Sequence, residues 1–325
     1  MPNAALRRLL AVGLATCLIA TGARAADFPN RPVRIVVPYA PGGGGDILAR
    51  LFADKLKNRL GQQVLVENKP GAGTLIGSEF VAKSKPDGYT LLLTTNSLLI
   101  APILNAAAAR FDPLKDFDPV IPLADIAIVL VASNSVPAND AGQLVAYMKQ
   151  NPGKLSFGSA GAGGITHLAG ELFKASAGVA MTHVSYKGAA PALTDLVGGQ
   201  IGLLFDAMIT AGPIIKSGKI KAIGMANGRR WDGAPEIPTI AESGVPGYKV
   251  SGWYGVLAPA GTPADVLERL NTEANEVVKD PEFAAKLQAA GLTPLGGDLE
   301  GFRKTMRSDR ATWEKVIRDG NITLQ

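Results

Sequence analysis

Cysteine and histidine are scarce in this chain of 325 residues, which contains one cysteine, Cys17, and two histidines, His167 and His183. Because Cys17 lies in an N-terminal leader, the mature chain is expected to have neither a disulfide nor a thiol nucleophile. Neither histidine has a second histidine or a cysteine at metal-ligand spacing, and no Gly-x-Ser-x-Gly motif occurs. We therefore expect no metal, no cofactor and no catalytic residues.

The N-terminus has the pattern of a signal peptide. Arg7 and Arg8 precede an apolar run at residues 9–21, which is too short to span a membrane, and Ala23-Arg24-Ala25 fits a cleavage site. We predict a signal peptide over residues 1–25 and a mature chain that starts at Ala26. An uncleaved anchor and a lipoprotein attached through Cys17 are the alternatives that fit the pattern less well.

A strong charge of either sign is also absent from the mature chain. Removal of the leader takes away three arginines and leaves 30 basic and 28 acidic residues, a net charge of +2. The basic residues are dispersed, so nucleic acid is not expected as a partner. The 300 residues that remain are enough for one large or two medium domains.

Segments with strand and helix patterns alternate along the chain. Residues 33–37 form an apolar run typical of a buried strand, and residues 46–60 have apolar positions at helical spacing. This order predicts an α/β fold in which helices cover a parallel sheet. Two further apolar runs, 127–131 and 253–257, are expected to cross between two lobes. Further strands are predicted at 63–67, 89–94, 155–157, 201–205 and 222–225, and further helices at 74–84, 143–150, 165–176, 191–197, 265–279, 281–290 and 298–317.

Two glycine-rich joins connect a strand to a helix. The first contains four glycines at 42–45, and the second is Phe157-Gly-Ser-Ala-Gly-Ala-Gly-Gly-Ile-Thr-His167. Such joins expose backbone N–H groups at a helix N-terminus, where an anion can bind, although a tight turn alone is the simpler explanation. Asp46-Ile47 stands where a nucleotide P-loop needs Lys and Ser/Thr, so the join is not a P-loop. Because a carboxylate would repel an anion, Asp46 is expected to be a cap or a backbone anchor and not a ligand contact.

Several polar side chains near these joins are candidates for ligand contact. Ser159, Thr166 and His167 surround the second join, where they are expected to donate hydrogen bonds to a carboxylate. Asp206 follows an apolar strand, at the edge where ligands collect in open α/β sheets. Its carboxylate suits a ligand ammonium or hydroxyl, and a turn aspartate is an equally consistent interpretation. Tyr254 either closes a cleft or belongs to the core.

Further motifs follow in a consistent order along the chain. They are Phe28-Pro-Asn-Arg-Pro32, Val66-Glu-Asn-Lys-Pro-Gly-Ala-Gly73, Pro86-Asp-Gly-Tyr-Thr-Leu91, Lys115-Asp-Phe117, Val184-Ser-Tyr-Lys-Gly188, Pro238-Thr-Ile-Ala-Glu242 and Trp253-Tyr-Gly-Val-Leu-Ala-Pro259. With the first glycine join, they resemble the Bug family of extracytoplasmic solute receptors, the substrate-binding subunits of tripartite tricarboxylate transporters. The resemblance runs from about Phe28 to the C-terminus. Pro41 and Ser185 depart from the residues usual in the family.

The resemblance implies a two-lobed Venus-flytrap fold of the type II periplasmic binding protein kind. Lobe 1 is predicted to comprise residues 26–130 and 253–325, and lobe 2 residues 131–252. The implied ligands are mono- to tricarboxylates, acidic amino acids or aromatic acids, held by one loop of each lobe and a pocket aspartate. The ligand-binding residues expected on this basis are Tyr39, Ala40, Gly42, Gly43, Gly44, Thr94, Asn96, Ser159, Gly161, Gly163, Thr166, His167, Tyr186 and Asp206.

The sequence thus predicts a monomeric periplasmic binding protein that performs no catalysis. It would capture a small organic anion and deliver it to the membrane permease subunits of a tripartite tricarboxylate transporter. Two alternatives stay open at this point: a ligand-sensing module that feeds a membrane signalling kinase, and an exported α/β hydrolase.

Overall fold

The structure is a computed structural model that describes residues 28–323. Its strands are β1 (Val33–Val37), β2 (Val64–Asn68), β3 (Thr90–Thr95), β4 (Phe117–Ile126), β5 (Ile128–Ser133), β6 (Ser156–Ser159), β7 (Thr182–Ser185), β8 (Leu203–Ala207), β9 (Ile220–Met225), β10 (Gly252–Pro259) and β11 (Leu292–Pro294). The predicted signal peptide lies outside the described residues.

The helices begin mostly where strands end. They are α1 (Gly44–Leu60), α2 (Leu75–Ala82), α3 (Ser97–Leu104), α4 (Ala141–Gln150), α5 (Ile165–Ala177), α6 (Ala189–Val197), α7 (Met208–Lys216), α8 (Ala264–Lys279), α9 (Pro281–Ala289) and α10 (Leu299–Asp319). A 3₁₀ turn at Ala72–Thr74 precedes α2. Within residues 28–323 we find no helix that combines the length and the apolar character needed to cross a lipid bilayer.

The strands form two sheets, one in each lobe. The first sheet has the order β11-β4-β10-β3-β1-β2, and the second has the order β7-β6-β8-β5-β9. The parallel arrangement predicted from the sequence holds for β1, β2 and β3 and for β6, β7 and β8. It is wrong for β4, β5, β9, β10 and β11, which pair antiparallel. Both sheets are therefore mixed.

Burial explains why the central strands are apolar throughout. Every residue of β3, β5 and β10 is buried. A strand covered by helices on both faces reads as a continuous apolar run rather than as an alternating one. The helix α1 ends at Gly61, whose φ of 66° is the left-handed conformation that commonly closes a helix.

The chain crosses between the sheets at Ala127, because β4 belongs to the first sheet and β5 to the second. The side chain of Asn227 spans this crossing: its Oδ1 accepts the N–H of Ile128 at 2.7 Å, and its Nδ2 donates to the carbonyl of Ile126 at 2.8 Å. The chain returns to the first sheet before β10 begins. The strands of the first sheet thus come from residues 33–126 and 252–294, and the predicted lobe boundaries stay a prediction.

Candidate functional site

A cavity lies between the lobes, beyond the C-terminal ends of β1, β3, β6 and β8. Strand ends of this kind are where open α/β sheets bind ligands. The first lobe contributes Tyr39, Gly43, Gly44, Gly45, Gly73, Thr74, Thr95, Ser97, Ile126 and Tyr254 to its lining. The second contributes Ile128, Ala160, Gly161, Gly164, Ile165, Thr166, Ala189, Asp206 and Ala207.

Helix N-termini surround this cavity. The first residues of α1, α3, α5 and α6 line it, as do the residues directly before α2 and α7. Each helix N-terminus carries a partial positive charge and unpaired N–H groups. Within residues 28–323 no lysine or arginine lines the cavity. The donors that this lining offers are therefore neutral groups and helix dipoles.

The first glycine loop presents free backbone donors to the cavity. The N–H groups of residues 43–46 donate to no acceptor within residues 28–323, and residues 43–45 line the cavity. The preceding N–H, that of Gly42, donates to Asp46 Oδ2 at 2.9 Å. The predicted role of Asp46 as a backbone anchor is thus confirmed. The loop is held open as a seat for an acceptor.

The negative charge of Asp46 is paired with Arg50, which does not line the cavity. Arg50 lies 2.9 Å from its Oδ1. Burial raises the pKa of Asp46, but the ion pair with Arg50 and the hydrogen bond from the Gly42 N–H outweigh burial and hold that pKa below its ordinary value. The carboxylate therefore stays ionised and paired, and it does not repel an anion from the loop.

The second glycine loop satisfies its own N–H groups with nearby side chains. Thr166 Oγ1 accepts the N–H of Ala160 at 3.0 Å, and Ser159 Oγ accepts the N–H of Gly161 at 3.3 Å. His167 Nδ1 accepts the N–H of Gly163 at 3.1 Å. Ser159, Thr166 and His167 accept these N–H groups and so fix the shape of the loop. A hydroxyl that accepts a hydrogen bond keeps its own proton, so the expected donation to a ligand stays a prediction. Among these three side chains, Thr166 lines the cavity.

The two histidines form a neutral support behind this loop. The rings of His167 and His183 stack with centroids 3.9 Å apart, and Ser159 Oγ lies 2.7 Å from His183 Nε2. Burial lowers the pKa of His167 to about 3 and that of His183 to about 4. Both rings are therefore uncharged at neutral pH, and they add no cation to the site.

A chain of hydroxyl groups runs along the first lobe to the cavity. The hydroxyl of Tyr39 lies 2.8 Å from Thr95 Oγ1, which in turn donates to Ser97 Oγ at 2.8 Å. Ser97 Oγ also accepts the N–H of Ile165 from the opposite lobe at 3.0 Å. Because Ser97 Oγ accepts two hydrogen bonds, its own proton is free to be donated to a ligand.

Asp206 and Tyr254 bring two further polar groups to the cavity. Asp206 lies within β8, rather than after it as predicted, and Thr210 Oγ1 donates to its Oδ2 at 2.6 Å. Burial raises the pKa of Asp206 to about 7, so the carboxyl group is largely protonated below that pH and can donate. Burial also raises the pKa of Tyr254 well above its ordinary value, which keeps the phenol a neutral donor.

The structure brings six of the predicted binding residues together at the cavity: Tyr39, Gly43, Gly44, Gly161, Thr166 and Asp206. The other eight lie outside its lining: Ala40, Gly42, Thr94, Asn96, Ser159, Gly163, His167 and Tyr186. Some of these make structural contacts instead. Asn96 Nδ2 donates to the carbonyl of Ser251 at 3.1 Å, and the Tyr186 hydroxyl donates to Asp195 at 2.7 Å. The N–H of Ala40 donates to the carbonyl of Lys187 at 2.9 Å.

Sequence reasoning missed several polar residues of the lining. Thr95 and Ser97 follow the predicted strand at 89–94, so their position at a strand end was an available signal. Gly73 ends the Pro70-Gly-Ala-Gly73 motif, and Thr74 follows it. This motif is a third glycine-rich join, and the sequence prediction did not assign it to the site. The remaining lining residues outside the predicted set of ligand-binding residues are Gly45, Ile126, Ile128, Ala160, Gly164, Ile165, Ala189 and Ala207.

Two lobes joined by crossing strands, with a cavity between them that a few polar groups reach, define a solute-binding protein. The chain belongs to the tripartite tricarboxylate transporter family receptors (TctC), whose family model matches residues 48–322. As a member of a receptor family, it is a binding protein and not an enzyme.

Relatives across the family support this assignment. The chain is 38% identical over 320 residues to the UPF0065 protein from the tcbD-tcbE intergenic region of Pseudomonas sp. strain P51, which covers 98% of this chain and 95% of that protein. It is 34% identical over 322 residues to BugT of Bordetella pertussis, covering 98% and 99% of the two chains. The predicted resemblance to the Bug family is confirmed.

Solved structures of similar proteins have the same fold. Rpa4515 of R. palustris with adipate is 36% identical, with a TM-score of 0.89 over 91% of this chain and 99% of that chain. The periplasmic binding protein BugD is 34% identical, with a TM-score of 0.88 over 92% and 100%. MatC of Rhodopseudomonas palustris with bound malate is 30% identical, with a TM-score of 0.85 over 89% and 100%. The predicted two-lobed α/β fold is thus confirmed.

Proposed function

We propose that this protein is a periplasmic receptor that binds a small organic carboxylate for a tripartite tricarboxylate transporter. The observation that carries the proposal is the row of backbone N–H groups at residues 43–46, which have no acceptor within residues 28–323 and of which three belong to residues that line the cavity. Four consecutive orphan donors at a helix N-terminus suit an oxyanion. The Thr166 hydroxyl supports the same ligand from the opposite lobe.

The chemistry of the cavity favours reversible capture of a carboxylate. Hydrogen bonds to a charged acceptor are about twice as strong as those between neutral groups, so neutral donors alone can hold an anion. They are stronger still when lobe closure removes water. Because no lysine or arginine of the described chain lines the cavity, the ligand would leave without breaking a buried ion pair. A receptor that delivers its ligand needs this reversibility.

Ligands of two similar proteins support a carboxylate in particular. Rpa4515 was solved with adipate and MatC with malate, and both are at least 30% identical to this chain. Both ligands are dicarboxylates, which agrees with an anion seat built from helix N-termini. We extend that chemical class, but neither particular acid, to this chain.

The proposal includes the location and partners predicted from the sequence. Residues 1–25 would direct export, and the mature chain would act in the periplasm as a monomer. Its partners would be the small-molecule ligand and the membrane permease subunits of the transporter. The six predicted residues that line the cavity are proposed ligand contacts, together with Thr95, Ser97 and Tyr254.

A binding screen of the mature chain, residues 26–325, tests this function. Thermal shift with mono-, di- and tricarboxylates identifies ligands, since a ligand at 100 times its Kd stabilises the folded state by about 2.7 kcal/mol. Isothermal titration calorimetry then compares each acid with its uncharged amide. We expect micromolar or tighter binding of at least one acid and no binding of the amide. Equal binding of the amide, or no binding by any acid, would contradict the proposal.

A further inference from the structure

A third glycine-containing turn reaches the cavity between the two glycine loops. It is the 3₁₀ turn Ala72–Thr74, which precedes the eight-residue helix α2, and both Gly73 and Thr74 line the cavity. All three residues have positive φ: 48° at Ala72, 63° at Gly73 and 89° at Thr74. A β-branched residue at positive φ is a genuine outlier. Strain of this kind persists where the surrounding structure enforces it, often at ligand clamps.

The hydroxyl of Thr74 is buried without a partner. The residue is 3% exposed, and its Oγ1 has no hydrogen-bond partner within residues 28–323. A buried hydroxyl without a partner is unfavourable, because it has lost its hydrogen bonds to water. An acceptor on a ligand in the cavity would remove that cost. The N-terminus of α2, directly after Thr74, favours an acceptor that is negatively charged.

The position of the turn separates it from the anion seat on residues 43–45. Thr74 also lines a second cleft, where it lies with Ser185, Tyr186 and Lys187. The turn therefore stands at the junction of the cavity and this second cleft. A ligand with one end on the first glycine loop and a second polar end near this junction would contact Thr74.

We propose that Thr74 is a ligand-contacting residue that selects dicarboxylates. Its hydroxyl donates a hydrogen bond to the second carboxylate of an acid whose first carboxylate lies against residues 43–45. This inference rests on the proposed function and refines it: the receptor distinguishes dicarboxylates from monocarboxylates through the turn Ala72–Thr74.

The chain offers a matched control for this residue. Thr94 is also fully buried and its Oγ1 also lacks a partner within residues 28–323, but Thr94 does not line the cavity. Thr74→Val and Thr94→Val make the same change of a hydroxyl to a methyl group at a buried position. Thr74→Ser keeps the hydroxyl, and Thr74→Ala removes it with a smaller side chain should Thr74→Val fail to fold.

The experiment is calorimetry of the mature chain with succinate, glutarate, adipate and the monomethyl ester of each acid at pH 8. The ester has the same chain but only one carboxylate. For the tightest dicarboxylate, we expect Thr74→Val to lose roughly 10- to 100-fold in affinity, the range for a hydrogen bond to a charged group. The half-ester should bind wild type and Thr74→Val alike. Thr74→Ser and Thr94→Val should retain affinity for the dicarboxylate within about threefold, less than the loss of one hydrogen bond.

Two results would overturn the inference, and a third concerns the proposed function. If Thr74→Val loses equal affinity for the dicarboxylate and for its half-ester, Thr74 has a structural role only. If Thr74→Val and Thr74→Ala both bind the dicarboxylate as tightly as the wild type, Thr74 does not contact the ligand. Either result leaves a carboxylate receptor in place. If the wild-type chain binds none of the acids screened, including tricarboxylates, the proposed function itself fails.

Discussion

The hydroxyl of Ser97 accepts the backbone N–H of Ile165 at 3.0 Å, and this hydrogen bond connects the two lobes across the cavity. Ile165 is the first residue of α5, so Ser97 satisfies a helix N-terminal N–H that belongs to the opposite lobe. The contact is available only when the lobes are closed. It links the stability of the closed form to one side chain.

Ser97→Ala should therefore weaken the closed form. Loss of one buried hydrogen bond costs about 0.5–1.5 kcal/mol, which corresponds to roughly 2- to 12-fold lower ligand affinity. Small-angle scattering should show that ligand reduces the radius of gyration of the wild type at a lower concentration than that of the variant. A radius that does not change with saturating ligand in either protein would show that large-scale closure does not occur.

Gly44 and Gly43 should respond differently to alanine. A Cβ at Gly44 would lie 2.6 Å from the Tyr254 hydroxyl oxygen and 2.8 Å from Ile209 Cγ2, whereas the nearest atom to a Cβ at Gly43 is 3.5 Å away. Overpacking of a filled site costs about 1–3 kcal/mol. We expect Gly44→Ala to lower ligand affinity by roughly 5- to 150-fold and Gly43→Ala to keep it near that of the wild type, measured by calorimetry. Equal affinities would show that Tyr254 and Ile209 move aside freely.

The substitution Gly73→Ala tests the contact between the lobes without removing a hydrogen bond. A Cβ at this position would overlap the carbonyl oxygen of Ala162 in the opposite lobe. Gly61 is a control, because its φ of 66° matches the 63° of Gly73 but a Cβ there meets no atom within 4 Å. Both alanine variants should lose stability of about 1 kcal/mol from backbone strain, measured by urea unfolding. Gly73→Ala alone should lose most ligand binding, and unimpaired binding would contradict the closed arrangement.

Asp206 should make the stability of the protein depend on pH. Burial raises its pKa from 3.8 to about 7, so the folded state holds a proton that the unfolded state releases between about pH 4 and 7. The contribution of Asp206 to stability is therefore fully present below pH 4 and is lost as the pH rises through 7. Asp206→Asn should raise the Tm relative to wild type more at pH 8 than at pH 5. The same difference at both pH values would show that Asp206 is ionised throughout.

The titration of the two histidines does not affect this comparison of Tm values. Their pKa values are lowered to about 3 and 4, so their contribution to stability is present above pH 6.5 and is lost as the pH falls through those values. Wild type and Asp206→Asn share this dependence. It therefore cancels in the difference between the two Tm values.

The elements that sequence patterns predicted are those with regular apolar spacing, such as α1 and β1. The strand β4 was missed because Pro119 and Pro122 interrupt its pattern. The structure accommodates both prolines, since β11 pairs with β4 only at residues 124–126, so neither proline has to donate an N–H to a second strand. The helices α3 and α7 were missed for a related reason. Each contains an internal proline, Pro102 and Pro213, and neither has a polar face.

The site was predicted in its location better than in its chemistry. A strand followed by glycines and a helix is a local pattern, so the first glycine loop could be identified from the sequence. The hydrogen bonds that fix the second glycine loop depend on its folded shape, in which Ser159 and Thr166 accept N–H groups of their own loop. The raised pKa of Asp206 likewise results from burial in the folded chain.

The division of the cavity's donors between two lobes has a kinetic consequence. Residues 43–45 and Tyr254 belong to the first lobe, and Thr166 and Asp206 belong to the second, so neither half encloses a ligand alone. We therefore expect a bound molecule to depart only after the halves separate. Acids that fit the cavity unequally should thus reach it at similar speed and differ mainly in residence time.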